Sequence, residues 1–365
     1  MYGRSFFNAI RVLLGAVIVV SSANAQAPAN AKPPKAPKDS TKRDTLVATF
    51  FRSETPVVVT MTANLKRIRG DKSPDAPWRS ATLTYNDSTG KAVTFPIQIR
   101  TRGIWRLKNC EFPPMRVDFK KDDVKETVFK GLDKEKLVSY CRDNDTYEQY
   151  LLQELQLYRI YRLLTPASHA VRLLRLTYAD SANGKTLTTR YAFVVEDPGR
   201  LAERMNGKML KIQGATPDDL EPSASAIVGL YQYLIGNTDF ALSALHNAEL
   251  LATVDGKYIP VVYDFDFAGA VNARYATVDP RLKVRSVRDR LFRGFCVPAA
   301  EYPKAVALFN AKKDSIYALY RDPIGKLLPN NIVEETLKYY DEFYKTINDP
   351  RALKRDIVEA CLGKG

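Results

Sequence analysis

Two periods of hydrophobic patterning divide the chain. From residue 46 to about residue 196, apolar residues come in short runs or alternate with polar ones, which is the signature of half-buried strands. Val57-Val58-Val59 opens the series, and residues 81–85 and 93–100 follow on either side of the turn segment Asn86-Asp87-Ser88-Thr89-Gly90. Within the latter run Ile97 and Ile99 alternate with Gln98 and Arg100, so one face meets water. Residues 115–119 predict another strand, opened by Pro113-Pro114 where missing N–H groups are tolerated. A helix then interrupts the strands. Tyr147, Leu151, Leu155, Tyr158 and Tyr161 recur at helical spacing up to Leu164, with Asp145 or Thr146 as the cap and Pro166 beyond the end. Residues 171–178 and 186–195 return to strand character and join through Asn183-Gly184.

After Pro198-Gly199 the period changes to that of helices, over 226–235 with a stop near Gly236, then over 302–320 and 332–347, with a hairpin between the first and second. No internal repeat is present. A β-rich segment 46–197 followed by a mainly helical segment 198–365 predicts an α+β fold of two lobes with a cleft between them.

The first residues change the picture of where the protein works. Arg4 and Arg11 accompany the apolar run 12–20, and Ala23-Asn24-Ala25 supplies small residues for cleavage, so 1–25 reads as a signal peptide. The apolar run is about half the length that a spanning helix needs, and a product with no stable membrane insertion is expected, periplasmic or extracellular. Residues 26–45, with Pro28, Pro33, Pro34 and Pro37 among Ala and Lys, read as an extended linker. Export also gives the four cysteines meaning, because an oxidising compartment permits disulfides. Sequence proximity favours Cys110 with Cys141 and Cys296 with Cys361, against the alternative of four buried thiols. The chain of 365 residues has 45% hydrophobic and 26% charged residues, the balance of a globular protein. Its net charge of +14 would attract acidic polymers or phosphates. No zinc-finger spacing, aromatic RNA-binding motif or basic helix accompanies that charge, so nucleic acid is not an expected partner.

The densest constellation of chemistry-bearing residues is Gly236-Asn237-Thr238-Asp239, then His246-Asn247, then Tyr263-Asp264-Phe265-Asp266. Asp255-Gly256 lies midway between the last two groups and is a favoured two-residue hairpin turn. Counting outward from such a turn places Asn247 opposite Asp264, where an amide oxygen and a carboxylate would converge. Hard oxygen donors of this kind suit Mg²⁺, which takes one or two protein ligands together with phosphate oxygens. Asp239 would then orient or deprotonate an acceptor hydroxyl, Asn247 and Asp264 would hold the metal, and Asp266 is a second acidic ligand or a cap of the next turn. The same residues also read as a helix cap, a turn and an ion pair. His246 reads as a loop-orienting residue, and His169 as structural. With two histidines and no Gly-x-Ser-x-Gly segment, a serine hydrolase lacks its nucleophile elbow.

Taken as a set, these segments resemble the CotH family of atypical secreted protein kinases and, more distantly, the HipA-type kinases. Arg100-Thr101-Arg102-Gly103 and Phe112 through Phe119 are similar to that family's Arg-Gly segment and following strand, and Phe129-Lys130-Gly131-Leu132 and Val194-Val195-Glu196 match in order. The resemblance covers roughly residues 100–269. It implies a two-lobed protein-kinase-like fold, with Asp239 as the catalytic Asp, Asn247 and Asp264 as metal ligands, and Glu196 near the hinge where adenine would sit. The chain departs from the family in the added residues Leu242-Ser243-Ala244-Leu245 and in Pro113-Pro114, where a Lys is typical. Arg102, Arg116 and Lys211 are the candidates to take over the phosphate-neutralising role, although isolated basic residues read equally as solvated surface charges.

The implied function is transfer of a phosphoryl group from ATP, with Mg²⁺ or Mn²⁺, to a hydroxyl of a protein or envelope component. ATP is scarce outside the cytoplasm, which leaves as the alternative a non-catalytic module that binds an acidic envelope ligand.

Overall fold

The computed structural model describes residues 47–256 and 258–363. The expected signal segment 1–25 and the whole of the expected linker 26–45 lie outside the described residues. Strand alternation in the first half is realised as a closed barrel. Its strands are β1 (Val57–Ala63), β2 (Arg79–Asn86), β3 (Ala92–Thr101), β4 (Met115–Asp118), β5 (Lys134–Val138), β6 (Val171–Asp180) and β7 (Thr186–Val195), in the spatial order β1-β2-β3-β4-β5-β7-β6. Neighbours pair antiparallel except at the seam, where β1 runs parallel to β6 with Val59 beside Leu176. Val59, Met61, Leu83, Phe95, Ile97, Ile99 and Leu176 are all buried, so alternation fills the interior with side chains. Phe129 lies at the centre of this packing, with ring centroids 5.3 Å from Phe50, 5.4 Å from Phe95 and 5.6 Å from Phe119. The barrel interior is therefore packed core.

This closure corrects the expected two-lobed, protein-kinase-like fold. Periodicity specifies which face of a strand is wet, but not which strand covers its edge, and the β1–β6 seam removes the open edges that the expected β-rich lobe would keep. The barrel and the helices also share a core. Helix α2 (Asp145–Leu164) leaves the strand-rich half and is buried through Leu151, Leu155, Tyr158 and Tyr161. It packs on α3 (Pro222–Ile235) and α4 (Glu301–Ala318), and these share one hydrophobic core with Leu173, Phe193 and Val195 of the barrel and with α5 (Asn330–Asn348). Asn144, rather than Asp145 or Thr146, caps α2, its side chain accepting from the Tyr147 N–H at 3.2 Å.

A second sheet lies in the order β10-β9-β8, from β8 (Gly207–Leu210), β9 (Ala248–Thr253) and β10 (Tyr258–Val262). Its hairpin differs from the expected two-residue turn. Tyr258 pairs with Ala252 and Val262 with Ala248, and the Gly256 N–H donates to Thr253 O at 3.1 Å with Gly256 at φ +79°. Glycine thus takes the left-handed position that follows a tighter turn, adding one residue to the connection. The register moves by one, so Asn247 faces Tyr263, whose N–H donates to Asn247 O at 3.1 Å, and not Asp264.

Both expected cysteine pairs are disulfides, with Cα separations of 4.6 Å for Cys110–Cys141 and 4.8 Å for Cys296–Cys361. Loops of this length imply about 4 kcal/mol of stabilisation each in the chain-entropy account. The two bonds fit an exported protein. Among the described residues no helix is long and apolar enough to cross a membrane.

Gly236 ends α3 at φ +64°, and its carbonyl accepts from the Gly269 N–H at 3.0 Å, tying the end of α3 to the loop after β10. A Cβ there would stand 1.9 Å from Tyr339 Oη, whereas one at Gly90, also left-handed, would meet nothing within 4 Å. Gly236→Ala is expected to lower stability by at least about 2 kcal/mol in urea denaturation, from backbone strain plus overpacking. Gly90→Ala should cost less; equal losses for the two would show that Tyr339 yields without penalty.

Candidate functional site

The turn at Gly236 delivers the next residues to the junction of barrel, α2 and second sheet. Asn237 is buried, and its Oδ1 accepts the Asp239 N–H at 2.9 Å, an Asx turn that aims the Asp239 side chain. The added residues 242–245 form their own small loop, closed by paired backbone hydrogen bonds of 3.0 Å between Ala241 and His246. This closure returns the chain to Asp239. His246 Nε2 lies 2.8 Å from Asp239 Oδ1, and Asn247 Nδ2 donates to Asp239 O at 2.8 Å and to Oδ2 at 3.0 Å. Asp239 keeps 38% of its side chain exposed and lines a pocket of about 460 Å³ with His246, Thr277, Arg281 and Arg293. The sequence thus correctly grouped Asp239, His246 and Asn247 in space. Asn247 reaches the acidic residues through Asp239, not through cross-strand pairing with Asp264.

Asp264 and Asp266 lie in the loop after β10, and α2 adds Glu154. One oxygen from each of the three carboxylates falls within 4.8 Å of the others. Tyr158, one helical turn beyond Glu154, accepts the Asp264 N–H on its hydroxyl at 2.9 Å. Arg106 enters the same space from the short helix α1 (Trp105–Asn109), its Nη1 3.6 Å from Glu154 Oε2 and 3.9 Å from Asp266 Oδ2. Its Nη2 donates to Ser139 O at 2.8 Å, and the Cys110–Cys141 disulfide fastens the end of α1 beside that contact.

The contacts neutralise charge without using it up. Glu154 Oε1 and Asp266 Oδ2 are buried and have no hydrogen-bond partner, a costly state for carboxylate oxygens. Three carboxylates against one guanidinium leave two formal negative charges. Burial pushes Asp266 up to about 6, with Asp264 and Asp239 adding to the rise and Arg106 opposing it. Burial also raises Glu154, with Asp266 reinforcing the shift and Arg106 opposing it. Protons thus compensate for missing positive charge. A hard divalent cation fits this donor set: oxygen ligands, residual charge of matching size and buried lone pairs without partners.

Opposite the carboxylates, Arg100, Arg116 and Lys136 occupy one row across β3, β4 and β5, Arg116 in register with both others. The row lies on the outer barrel face, because the alternate residues Ile99, Val117 and Leu137 are buried. Like charges directly opposed on neighbouring strands repel unless an anion joins them. Lys136 is itself buried, its Nζ 4.2 Å from the centre of the Tyr263 ring. Burial pushes it down to about 8, Arg102 and Arg116 adding to the effect while Glu249 and Asp264 oppose it. Arg102 is half-buried within electrostatic reach of Lys136 and Tyr263. The other sequence candidates stand apart. Glu196 is fully buried and committed to the fold: its carboxylate accepts from Ala170 N at 2.9 Å and from Arg204 at 3.0 Å. Lys211 is exposed just beyond β8.

Arg106, Lys136 and Glu154 are the site residues that the pattern did not single out. Lys134-Glu135-Lys136 reads as a charged surface run, which hid β5 altogether. The signal available for Glu154 was its spacing of four from Tyr158 on the inner face of α2. No protein-family model and no curated protein matches the chain, so the CotH resemblance rests on the quoted residues alone.

A carboxyl raised by folding binds more protons folded than unfolded, here between 3.8 and about 6 for Asp266. Its contribution to stability is greatest below that range and is lost as pH rises through it. Without added metal, the chain is expected to resist urea less as pH rises through this interval, and Asp266→Asn should reduce that slope. Divalent ions should stabilise the protein at neutral pH and lose their effect below about pH 6, as protons compete for the same oxygens. A slope unchanged in the Asn variant would show that Asp266 is not the titrating group.

Proposed function

We propose that the chain is a metal-dependent phosphotransferase that moves a phosphoryl group from ATP to a hydroxyl of a protein or other envelope component. The observation that carries the reading is the meeting of Glu154, Asp264 and Asp266, the first and last each with a buried oxygen that accepts no hydrogen bond, next to Asp239 on one side and buried Lys136 on the other. Glu154, Asp264 and Asp266 would hold Mg²⁺ or Mn²⁺, which when bound offsets phosphate charge. Lys136, with Arg102 and Arg116, would meet phosphate oxygens from the barrel wall. Asp239, oriented by His246 and Asn247, would accept the proton of the acceptor hydroxyl as its oxygen bonds to the γ-phosphorus and the bond to the β–γ bridging oxygen breaks, releasing ADP. The reading requires no kinase-like fold, since the site and not the scaffold carries the chemistry.

Thermal unfolding of residues 26–365 with millimolar ATP and Mn²⁺ or Mg²⁺ is the first test, since a ligand of the native state raises the midpoint. Asp264→Asn should abolish the metal-dependent part of the shift, and Lys136→Met should weaken the nucleotide-dependent part. Asp239→Asn should leave both shifts in place and lower transfer at least about a hundredfold. A wild-type chain that shows no shift with either ion, or an Asp239→Asn variant that transfers as well as wild type, would overturn the proposal.

A further inference from the structure

The segment 277–293 carries six basic residues, Arg281, Lys283, Arg285, Arg288, Arg290 and Arg293, against Asp279 and Asp289. They divide into two groups with different work. Arg288, Arg290 and Arg293 fasten the segment to the helical core. Arg288 donates to Gly269 O at 2.9 Å, Arg290 donates to Tyr233 O at 3.0 Å and lies 3.5 Å above the Tyr339 ring, and Arg293 donates to Thr238 O beside Asp239. Arg281, Lys283 and Arg285 are exposed, while Leu282, Val284 and Val287 between and beside them are half-buried. Arg281 is paired with Asp279 at 2.5 Å and lines the Asp239 pocket. Among the described residues no carboxylate lies within ion-pair distance of Lys283 or Arg285; Asp289, within electrostatic reach of Arg285, accepts the backbone N–H groups of Arg285 and Ser286 at 2.7 and 3.1 Å.

We infer that this pinned basic segment is a docking surface for an acidic polypeptide, which it guides to the Asp239 pocket. The inference rests on the phosphotransfer reading only in treating the docked chain as the hydroxyl acceptor. Flexible surface cations repay little of the entropy lost on binding, but a segment held at three arginines presents its free charges already in place. Asp279 and Asp289 interrupt the positive field, and half-buried aliphatic residues separate the cations. Such a mixed surface suits a chain of alternating acidic and apolar side chains better than a continuous polyphosphate, which has no apolar groups to set against Leu282, Val284 and Val287. The pocket has room for a side chain of that polypeptide, with Asp239 and His246 on its wall.

The test is fluorescence anisotropy of residues 26–365 with a labelled Glu- and Asp-rich peptide containing one serine, in the absence of nucleotide. A Lys-rich peptide and a single-stranded DNA oligonucleotide of equal length serve as probes of other classes. Expected is binding of the acidic peptide that weakens steeply with salt, and a loss of at least about tenfold in the double variant Lys283→Glu, Arg285→Glu with an unchanged unfolding midpoint. Absence of acidic-peptide binding, binding insensitive to the charge reversal, or tighter binding of the DNA would overturn the inference. Salt-sensitive binding, with no phosphate transfer to the serine once ATP and Mn²⁺ are added to the same mixture, would uphold the docking surface and count against the phosphotransfer reading, so the two fail separately.

Discussion

Arg106 is a guanidinium with 11% of its side chain exposed, held between the barrel wall, α2 and the loop after β10, and the water it loses there has to be repaid by opposite charge. Burial works against its charge, but Asp266, Glu154 and Asp264 hold it above its ordinary value. Four separate pieces of chain are thereby fixed around one side chain: α1, the end of β5 through Ser139 O, α2 through Glu154 and the loop after β10 through Asp266. Removing one partner of a buried charge pair typically costs about 3 to 5 kcal/mol. The fastening of α1 by Cys110–Cys141 is therefore more than a generic staple, since it sets the helix that carries the cation. The negative charge left over, once Arg106 is counted, is what makes the same spot suited to a divalent ion.

The barrel contributes to this site from its outside. Its interior is packed with aromatic and aliphatic side chains, and a closed sheet has no free edge to lend to a ligand. What remains for chemistry is the outer face of β3, β4 and β5, where the row of cations meets the second sheet. Lys136 is covered there by Tyr263, and Glu249 is held below its usual range, against its burial, by His169, Lys136 and Arg116. Cations on the barrel wall thus face carboxylates on β9, on α2 and in the loop after β10.

Backbone strain is concentrated in the same region. Asn247 and Asp264 stand at φ +49° and +63°, on the two sides of the hairpin base, and Leu245 at φ +51° precedes them. Asn and Asp tolerate this conformation better than most residues, yet it still costs of the order of 1 kcal/mol. The cost is offset locally: Asn247 bonds to Asp239 and accepts from Tyr263, and Asp264 donates to Tyr158. Because both residues leave regular strand geometry, the face rule of a strand does not govern where their side chains go.

Local pattern alone determined a good deal here. Alternation and turn residues located most of the barrel strands, helical spacing located α2, α3, α4 and α5, proximity paired the cysteines, and the order Asp239, His246, Asn247 grouped three residues that do meet. These are properties of short segments, where side-chain period and turn chemistry act over a few residues. Three matters were decided by the tertiary structure. Barrel closure depends on which edge is left for β1, the hairpin register on one residue of turn geometry, and β5 on packing that buries Glu135 and Lys136 in a run that looks like surface. Arg106 and Lys136 carry no local mark, and Glu154 only its spacing of four from Tyr158, because what distinguishes these residues is burial beside opposite charge. A charge becomes significant only when distant segments exclude water from it, and that exclusion is a property of the folded chain.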